Sequence, residues 1–110
     1  MPESINRGHK GTIKCRVKRP EKWCEIEAMI YGKYLAIHKN LDGFHHGHVI
    51  THIPTGYVLR SFRNLQTARA VAIKLANLDM PWEELTVKNA EGEVGQRVCT
   101  AIWKAIEETQ

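Results

Sequence analysis

The sequence predicts an α+β fold, in which an antiparallel β-meander of four to five strands is followed by two helices packed on one face of the sheet. Two patterns support this fold class. Between residues 12 and 62, apolar and polar side chains alternate in five short runs separated by turn-forming residues. After residue 63 the apolar side chains recur at helical spacing instead. A chain of 110 residues accommodates one domain, predicted over residues 12–110 after a flexible lead-in at residues 1–11.

The first two runs predict a β-hairpin. The run Thr12–Lys18 directs three residues to one face: Ile13, Cys15 and Val17. Arg19–Lys22 is interpreted as the turn, because Pro20 presets the backbone angle of the second turn position. The run Trp23–Tyr31 alternates again, with four residues directed inward: Cys24, Ile26, Ala28 and Ile30.

Three further strands complete the predicted meander. Gly32 ends the second run, and alternation resumes over Lys33–Lys39 with Leu35 and Ile37 directed inward. The next segment, 40–47, is rich in turn residues and predicts a loop. The last two strands are predicted at His48–Ile53 and Tyr57–Phe62, joined by a tight connection that contains Pro54 and Gly56.

Two helices follow the strands. Asn64 is a good N-cap for the first helix, whose apolar stripe comprises Leu65, Ala68, Val71, Ala72, Leu75 and Leu78. Pro81 disfavours helical geometry at the residue before it, so this helix should end by Asp79. A short strand is possible at Leu85–Lys88. The second helix is predicted at Glu93–Glu108, with a stripe formed by Val94, Val98, Ala101, Ile102 and Ala105.

The apolar stripe of the second helix is wider than a surface helix requires. Cys99, Trp103 and Ile106 extend it. This width predicts burial between the sheet and the first helix, and the alternative is a homodimer interface on a protein that is otherwise a monomer. Phe62 and Trp82 are also expected in the core, as is Trp103.

The charge of the chain is unevenly distributed. Residues 1–78 hold thirteen of the sixteen Lys and Arg but only five of the twelve Asp and Glu, whereas residues 79–110 are acidic. A basic body predicts a polyanionic partner. The three cysteines include no Cys-x-x-Cys pair, and the chain has neither an apolar run of about 20 residues nor a signal-peptide core. We therefore expect reduced, structural thiols, a cytoplasmic location and no membrane contact.

Basic residues on and around the first strand are the main candidates for contact with nucleic acid or another partner. Successive residues on one strand face lie about 6.6 Å apart, close to the spacing of phosphates along one strand. The candidates are Arg7, Lys10, Lys14, Arg16, Lys18, Arg19 and Lys22, together with Arg63, Arg69 and Lys74 at the first helix. A four-residue turn would place Arg16 opposite Glu25 and Lys14 opposite Glu27, which would neutralise part of this surface.

Five of the six histidines lie between His38 and His52. The histidines of the loop, His45, His46 and His48, are predicted to make loop or partner contacts. They are also the alternative ligands of a metal site, but no carboxylate or cysteine stands at a recognised ligand spacing, so neither a metal nor another cofactor is predicted. Asp42 and either Thr51 or Thr55 are the local candidates for the carboxylate and nucleophile that a catalytic histidine needs. Nothing in the sequence fixes their geometry, so an enzyme is not predicted.

The function predicted from these features is non-enzymatic binding of nucleic acid or of a nucleic-acid-handling protein complex. Aromatic residues expected on the exposed strand faces are Tyr31, Tyr34, Phe44 and Tyr57, which is sparse for a base-stacking surface. A small, basic, cofactor-free α+β chain resembles accessory proteins of phages and mobile elements, including inhibitors of host defence nucleases. The alternatives are a protein-binding inhibitor or adaptor without nucleic-acid contact, and a protein with histidine-bound metal.

Overall fold

The predicted meander and its two helices are present in a computed structural model of the chain. The structure describes residues 8–18, 21–39, 47–78, 80, 82–86 and 92–109. The strands are β1 (His9–Lys18), β2 (Glu21–Tyr31), β3 (Leu35–Lys39), β4 (His48–His52) and β5 (Tyr57–Phe62). The helices are α1 (Leu65–Asn77) and α2 (Glu93–Thr109). The strands form one antiparallel sheet in the order β1-β2-β3-β4-β5, which confirms the predicted fold class.

The first hairpin differs from the prediction in its start and its register. β1 begins at His9 rather than at Thr12, and residues 1–7 of the expected lead-in lie outside the described part of the chain. β2 begins at Glu21, so the connection is shorter than the four residues expected. As a consequence Lys14 pairs with Glu25, and Arg16 pairs with Trp23. The predicted pairs Arg16–Glu25 and Lys14–Glu27 are therefore wrong.

Both helices pack on one face of the sheet, as predicted. This face contributes Tyr31, Leu35, Ile37 and Ile50 to the core. α1 covers them with Ala68, Val71, Ala72 and Leu75, and α2 adds Val98, Ile102, Ala105 and Ile106. Burying each large aliphatic side chain contributes about 1.5–3 kcal/mol, so this layer, the larger of the two buried clusters, supplies most of the hydrophobic stabilisation that comes from the described residues. Trp82 and Leu85 lie in the same core.

The ends of α1 follow local signals in the sequence. The Asn64 side chain accepts a hydrogen bond of 2.7 Å from the backbone N–H of Gln66, as an N-cap should. At the other end the Leu78 N–H donates to the Leu75 carbonyl at 3.2 Å. Leu65 and Leu78, which belong to the predicted stripe, are 43% and 45% exposed because they lie at the two ends of the helix.

The second face of the sheet is buried because the sheet curls until β1 contacts β5. Ile13, Ala28 and Ala36 form a small cluster inside the curl. At one end the Cys15 thiol lies 3.9 Å from the Gly56 carbonyl oxygen, and the Trp23 ring lies against the same glycine. The inward orientation predicted for Ile13 and Cys15 is confirmed.

α2 buries a narrower stripe than the sequence predicts. Val98, Ile102 and Ala105 are buried as expected, but Cys99 is exposed and Trp103 is 54% exposed. The prediction of a buried Trp103 is therefore wrong: about half of its surface is exposed, and its ring lies against β5, where the Arg60 guanidinium carbon is 4.5 Å from the ring centroid. Leu85 and Thr86 have no regular secondary structure, and residues 87–88 of the possible strand lie outside the described residues. No described helix is long and apolar enough to cross a bilayer.

Candidate functional site

The main recess that we describe opens where β2 and β3 separate. These strands pair only between Met29–Tyr31 and Leu35–Ile37, whereas β2 extends back to Glu21 and β3 continues to pair with β4 up to Lys39. The gap is bounded by β1 on one side and by the first turns of α1 on the other. It forms a cleft of about 640 Å³, a size typical of ligand-binding sites.

Three cationic side chains from three different elements line the cleft. They are Lys10 of β1, Lys39 of β3 and Arg69 of α1, and His48 of β4 lies beside them. Glu27 is the one carboxylate among the described lining residues. Because several cations face a concave, partly low-dielectric surface with a single acid, the cleft attracts anions.

The floor of the cleft is apolar. Met29 and Ile37 line it from the sheet, and Leu65 lines it from the first turn of α1. Ile37 is buried, whereas Met29 is partly buried and Leu65 is 43% exposed. An occupant that combines an anionic group with an apolar surface would therefore satisfy both parts of the cleft.

A hydrogen bond to Tyr31 of β2 positions the Arg69 side chain at the cleft. The Tyr31 phenol oxygen accepts a 3.1 Å hydrogen bond from Arg69 Nε, and the tyrosine side chain is only 1% exposed. The expectation that Tyr31 lies on an exposed face is therefore wrong, because α1 covers this side of β2. Since the bond uses Nε, the two terminal nitrogens of the guanidinium carry the donors that remain for a ligand.

Two of the predicted candidate residues, Lys10 and Arg69, meet in the cleft although α1 and β1 are far apart in sequence. His48 joins them. Lys14 is exposed on β1 and faces Glu25 in the register, while Arg63 is exposed just before α1. Lys74 lies elsewhere, with its Nζ 3.3 Å from Glu108 Oε2 in an exposed ion pair.

The remaining candidates are only partly described or not described. For three of them the structure describes the strand backbone only and not the side chain; these are Arg16, Lys18 and Lys22. Four others lie outside the described residues: Arg7, Arg19, His45 and His46. Lys39 and Glu27 are cleft residues that the sequence reasoning missed. Lys39 pairs with His48 across β3 and β4. A prediction of this register would have placed Lys39 beside a candidate residue.

His38 is a buried structural residue. Its Nε2 is 2.7 Å from Thr51 Oγ1, and its Nδ1 is 2.8 Å from the Lys39 carbonyl oxygen. Because a carbonyl oxygen can only accept, Nδ1 carries the proton and Nε2 accepts from the threonine in the neutral ring. Burial lowers the pKa of His38 below 6.5, and the bond to the Lys39 carbonyl offsets part of this effect.

His52 is buried in a similar way on the helix side of the sheet. Its Nε2 donates to the Trp82 carbonyl oxygen at 2.8 Å, and its Nδ1 lies 2.8 Å from Thr55 Oγ1. The ring lies between Tyr34 and Trp82, with centroid separations of 6.5 Å and 6.1 Å. Burial lowers the pKa of His52 below 6.5, against a smaller opposing effect of the bond to Trp82.

His38 and His52 make internal contacts, whereas the predicted loop or partner contacts concern His45, His46 and His48. Both ring nitrogens of His38 and of His52 are engaged, so neither ring has a nitrogen left for a metal ion. Within the described ranges, no group of three or more potential metal ligands occurs. The two histidine–threonine pairs resemble a base beside a hydroxyl nucleophile, but Thr51 and Thr55 are 0% and 5% exposed, so neither hydroxyl is placed to reach a substrate.

No family model, curated protein or solved structure gives a match to this chain. The interpretation of the cleft therefore depends on its own geometry and charge.

Proposed function

We propose that this protein is a non-enzymatic nucleic-acid-binding protein that contacts phosphate groups through the cleft. One observation carries the proposal: Lys10, Lys39 and Arg69 converge from three elements on one recess that contains a single described carboxylate. Phosphates are the anions best suited to this set, because arginine binds them through two parallel hydrogen bonds and lysine through a point charge. The net charge of +4 also favours a polyanionic partner.

The composition of the chain accords with an intracellular role of this kind. The three cysteines, all of which are described, form no disulfide. Disulfides are rare in the reducing cytoplasm, where nucleic acids are available as partners. A cytoplasmic location is therefore part of the proposal.

The proposal is tested by a binding titration at several salt concentrations. A labelled oligonucleotide is titrated with the protein, and the affinity is read from fluorescence anisotropy between about 50 and 200 mM salt. Three phosphate contacts predict a slope of about −2 in a plot of log K against log salt for a single strand. A flat response would contradict nucleic-acid binding.

Charge variants locate the binding surface. The double variant Lys10→Glu/Lys39→Glu should weaken binding by more than about ten-fold, because it removes two charge-assisted contacts and adds repulsion. The matched control is Lys33→Glu/Lys104→Glu, which makes the same charge change at exposed residues that do not line the cleft. Equal losses in the two variants would show that only the net charge matters.

A variant that is expected to tighten binding provides a second test of the cleft. Glu27→Gln removes the negative charge from the cleft and should tighten binding about three-fold, in line with the small energies of partly exposed charges. Glu25→Gln, on the same strand but outside the cleft lining, is its control. Binding that is no tighter in Glu27→Gln than in Glu25→Gln would argue against the cleft as the site.

A second candidate function is a protein-binding inhibitor or adaptor, such as the phage or mobile-element proteins considered above. The exposed Trp103 ring with Arg60 beside it favours this candidate, because Trp and Arg dominate the binding energy of protein interfaces. The variant Trp103→Ala should abolish a complex of defined stoichiometry, including a homodimer through α2, while oligonucleotide affinity stays unchanged. A purification that recovers only nucleic acid would contradict this second function.

A further inference from the structure

We infer that the cleft receives one unpaired nucleotide of a single-stranded nucleic acid, with its base on the apolar floor and its phosphates at the cationic residues. This inference rests on the proposed nucleic-acid binding and specifies which form of nucleic acid is bound. It follows from the shape of the cleft, from the nature of its floor and from the way Arg69 is held.

The shape of the site favours an unpaired strand over a duplex. Proteins that read a duplex project a helix or a two-stranded ribbon into a groove. Here the cations line a recess that opens between β2 and β3, so the nucleic acid must project into the protein. Bases of a duplex are held in the stack, whereas an unpaired nucleotide can turn outward into a pocket.

The apolar floor of the cleft favours an occupant that has a flat apolar group beside its anionic group. Phosphate groups alone would leave the accessible surfaces of Met29 and Leu65 in contact with water. A base placed on this floor removes its own faces and these side chains from water, which favours binding by the hydrophobic effect. A volume of about 640 Å³ lies within the range found for small-ligand sites.

Arg69 is oriented in advance for such an occupant. The 3.1 Å bond from its Nε to the buried Tyr31 phenol restricts the guanidinium to the cleft side of α1. Guanidinium planes stack on bases and pair with phosphates, and a restrained side chain loses less freedom on binding. Thr12 also lines the cleft and supplies a hydroxyl group that can contact the edge of the base.

The experiment compares three ligands at one salt concentration: a single-stranded oligonucleotide, the duplex of the same sequence, and a free nucleoside monophosphate. Each is titrated with the unmodified protein, with Leu65→Ala and with Leu78→Ala. These two leucines are 43% and 45% exposed at opposite ends of α1, so both variants should fold, and only Leu65 lines the cleft. Circular dichroism melting verifies the fold of each variant.

The expected result is that the single strand binds more tightly than the duplex and than the free nucleotide. Leu65→Ala should weaken single-strand binding about ten-fold, the usual effect of removing apolar contact from a pocket, and leave duplex binding unchanged. Leu78→Ala should behave like the unmodified protein. An oligonucleotide whose bases are replaced by abasic sites, with the same number of phosphates, should lose affinity to a similar extent.

Three results would overturn the inference. The duplex would bind as tightly as the single strand, Leu65→Ala would weaken both equally or not at all, or the free nucleotide would bind as tightly as the oligonucleotide. In the first two cases a steep salt dependence with loss of binding in Lys10→Glu/Lys39→Glu would leave nucleic-acid binding intact. If the proposed nucleic-acid binding itself were wrong, none of the three ligands would bind in a salt-dependent manner, so the two failures can be distinguished.

Discussion

At the scale of single residues, His38 and His52 show why a histidine cluster in sequence need not be a surface site. Each ring donates one hydrogen bond to a backbone carbonyl and lies within hydrogen-bond distance of a threonine hydroxyl with the other nitrogen. His38 uses Nδ1 as donor and His52 uses Nε2, so the carbonyl fixes a different tautomer in each case. Two of the four partners could not be predicted, because Trp82 lies 30 residues from His52 and Thr51 lies on the strand next to that of His38.

The buried histidines predict that the protein is less stable in mild acid. In the unfolded chain both have the ordinary pKa of 6.5, whereas burial lowers the pKa of each in the folded state. Below pH 6.5 the unfolded chain therefore binds protons that the folded chain does not, and the free energy of unfolding falls. The slope is at most about 1.4 kcal/mol per pH unit for each histidine, and the contribution is complete above pH 6.5.

Chemical denaturation between about pH 7.5 and 5.5 measures this dependence. His52→Gln keeps a donor near the Nε2 position and His38→Asn keeps one near Nδ1, so each should reduce the slope while retaining the bond to the carbonyl. A slope that neither buried-site variant changes would contradict the assignment.

At the scale of elements, the starts of the two helices could be predicted from local signals, whereas the β1–β2 register could not, because it depends on the length of the connection. α1 starts after Asn64 because the side chain caps the helix, and α2 starts at Glu93 as its periodicity indicated. The β1–β2 register was wrong because it depends on how many residues form the turn, and Pro20 alone does not decide that. A register shift of two residues keeps every side chain on its predicted face, which is why Ile13 and Cys15 were assigned correctly.

The capping interaction of α1 gives a prediction at this scale. Asn64→Ala removes the acceptor of the 2.7 Å bond from the Gln66 N–H and should lower the free energy of unfolding by about 1 kcal/mol. Asn64→Asp should retain most of the stability, because a carboxylate also caps the helix and interacts favourably with its dipole. Urea denaturation of the three proteins measures both effects. Equal losses in the two variants would show that the cap contributes through some other property of asparagine.

At the scale of the whole molecule, the cleft is a product of tertiary structure. Its cations come from β1, β3 and α1, and it exists because β2 leaves β3 after a few paired residues. The sequence identified Lys10 and Arg69 as basic candidates but could not bring them together, since no local pattern states where two strands part. Charge counting alone also gave weight to Lys74, which the structure pairs with Glu108. The same curl that buries the second face of the sheet brings the β4–β5 turn against β2.

This closure of the curl predicts unequal effects for two glycines of similar backbone geometry. Gly56 and Gly32 have φ angles of +71° and +73°. Alanine at Gly32 would place its Cβ 3.9 Å from the Ala76 Cβ, an ordinary contact, so Gly32→Ala should cost only the strain of a positive φ, about 1–2 kcal/mol. Alanine at Gly56 would overlap the Trp23 ring, so Gly56→Ala should cost that strain and the displacement of the ring as well.

Denaturation of both variants, followed by tryptophan fluorescence and by circular dichroism, measures the difference. Gly56→Ala should be less stable than Gly32→Ala by at least about 1 kcal/mol, because a displaced Trp23 no longer covers the end of the curl. The native fluorescence should also change in Gly56→Ala alone, since Trp23 is half exposed and its surroundings depend on this contact. Equal destabilisation with unchanged fluorescence would mean that the Trp23–Gly56 contact does not hold the two ends of the sheet together.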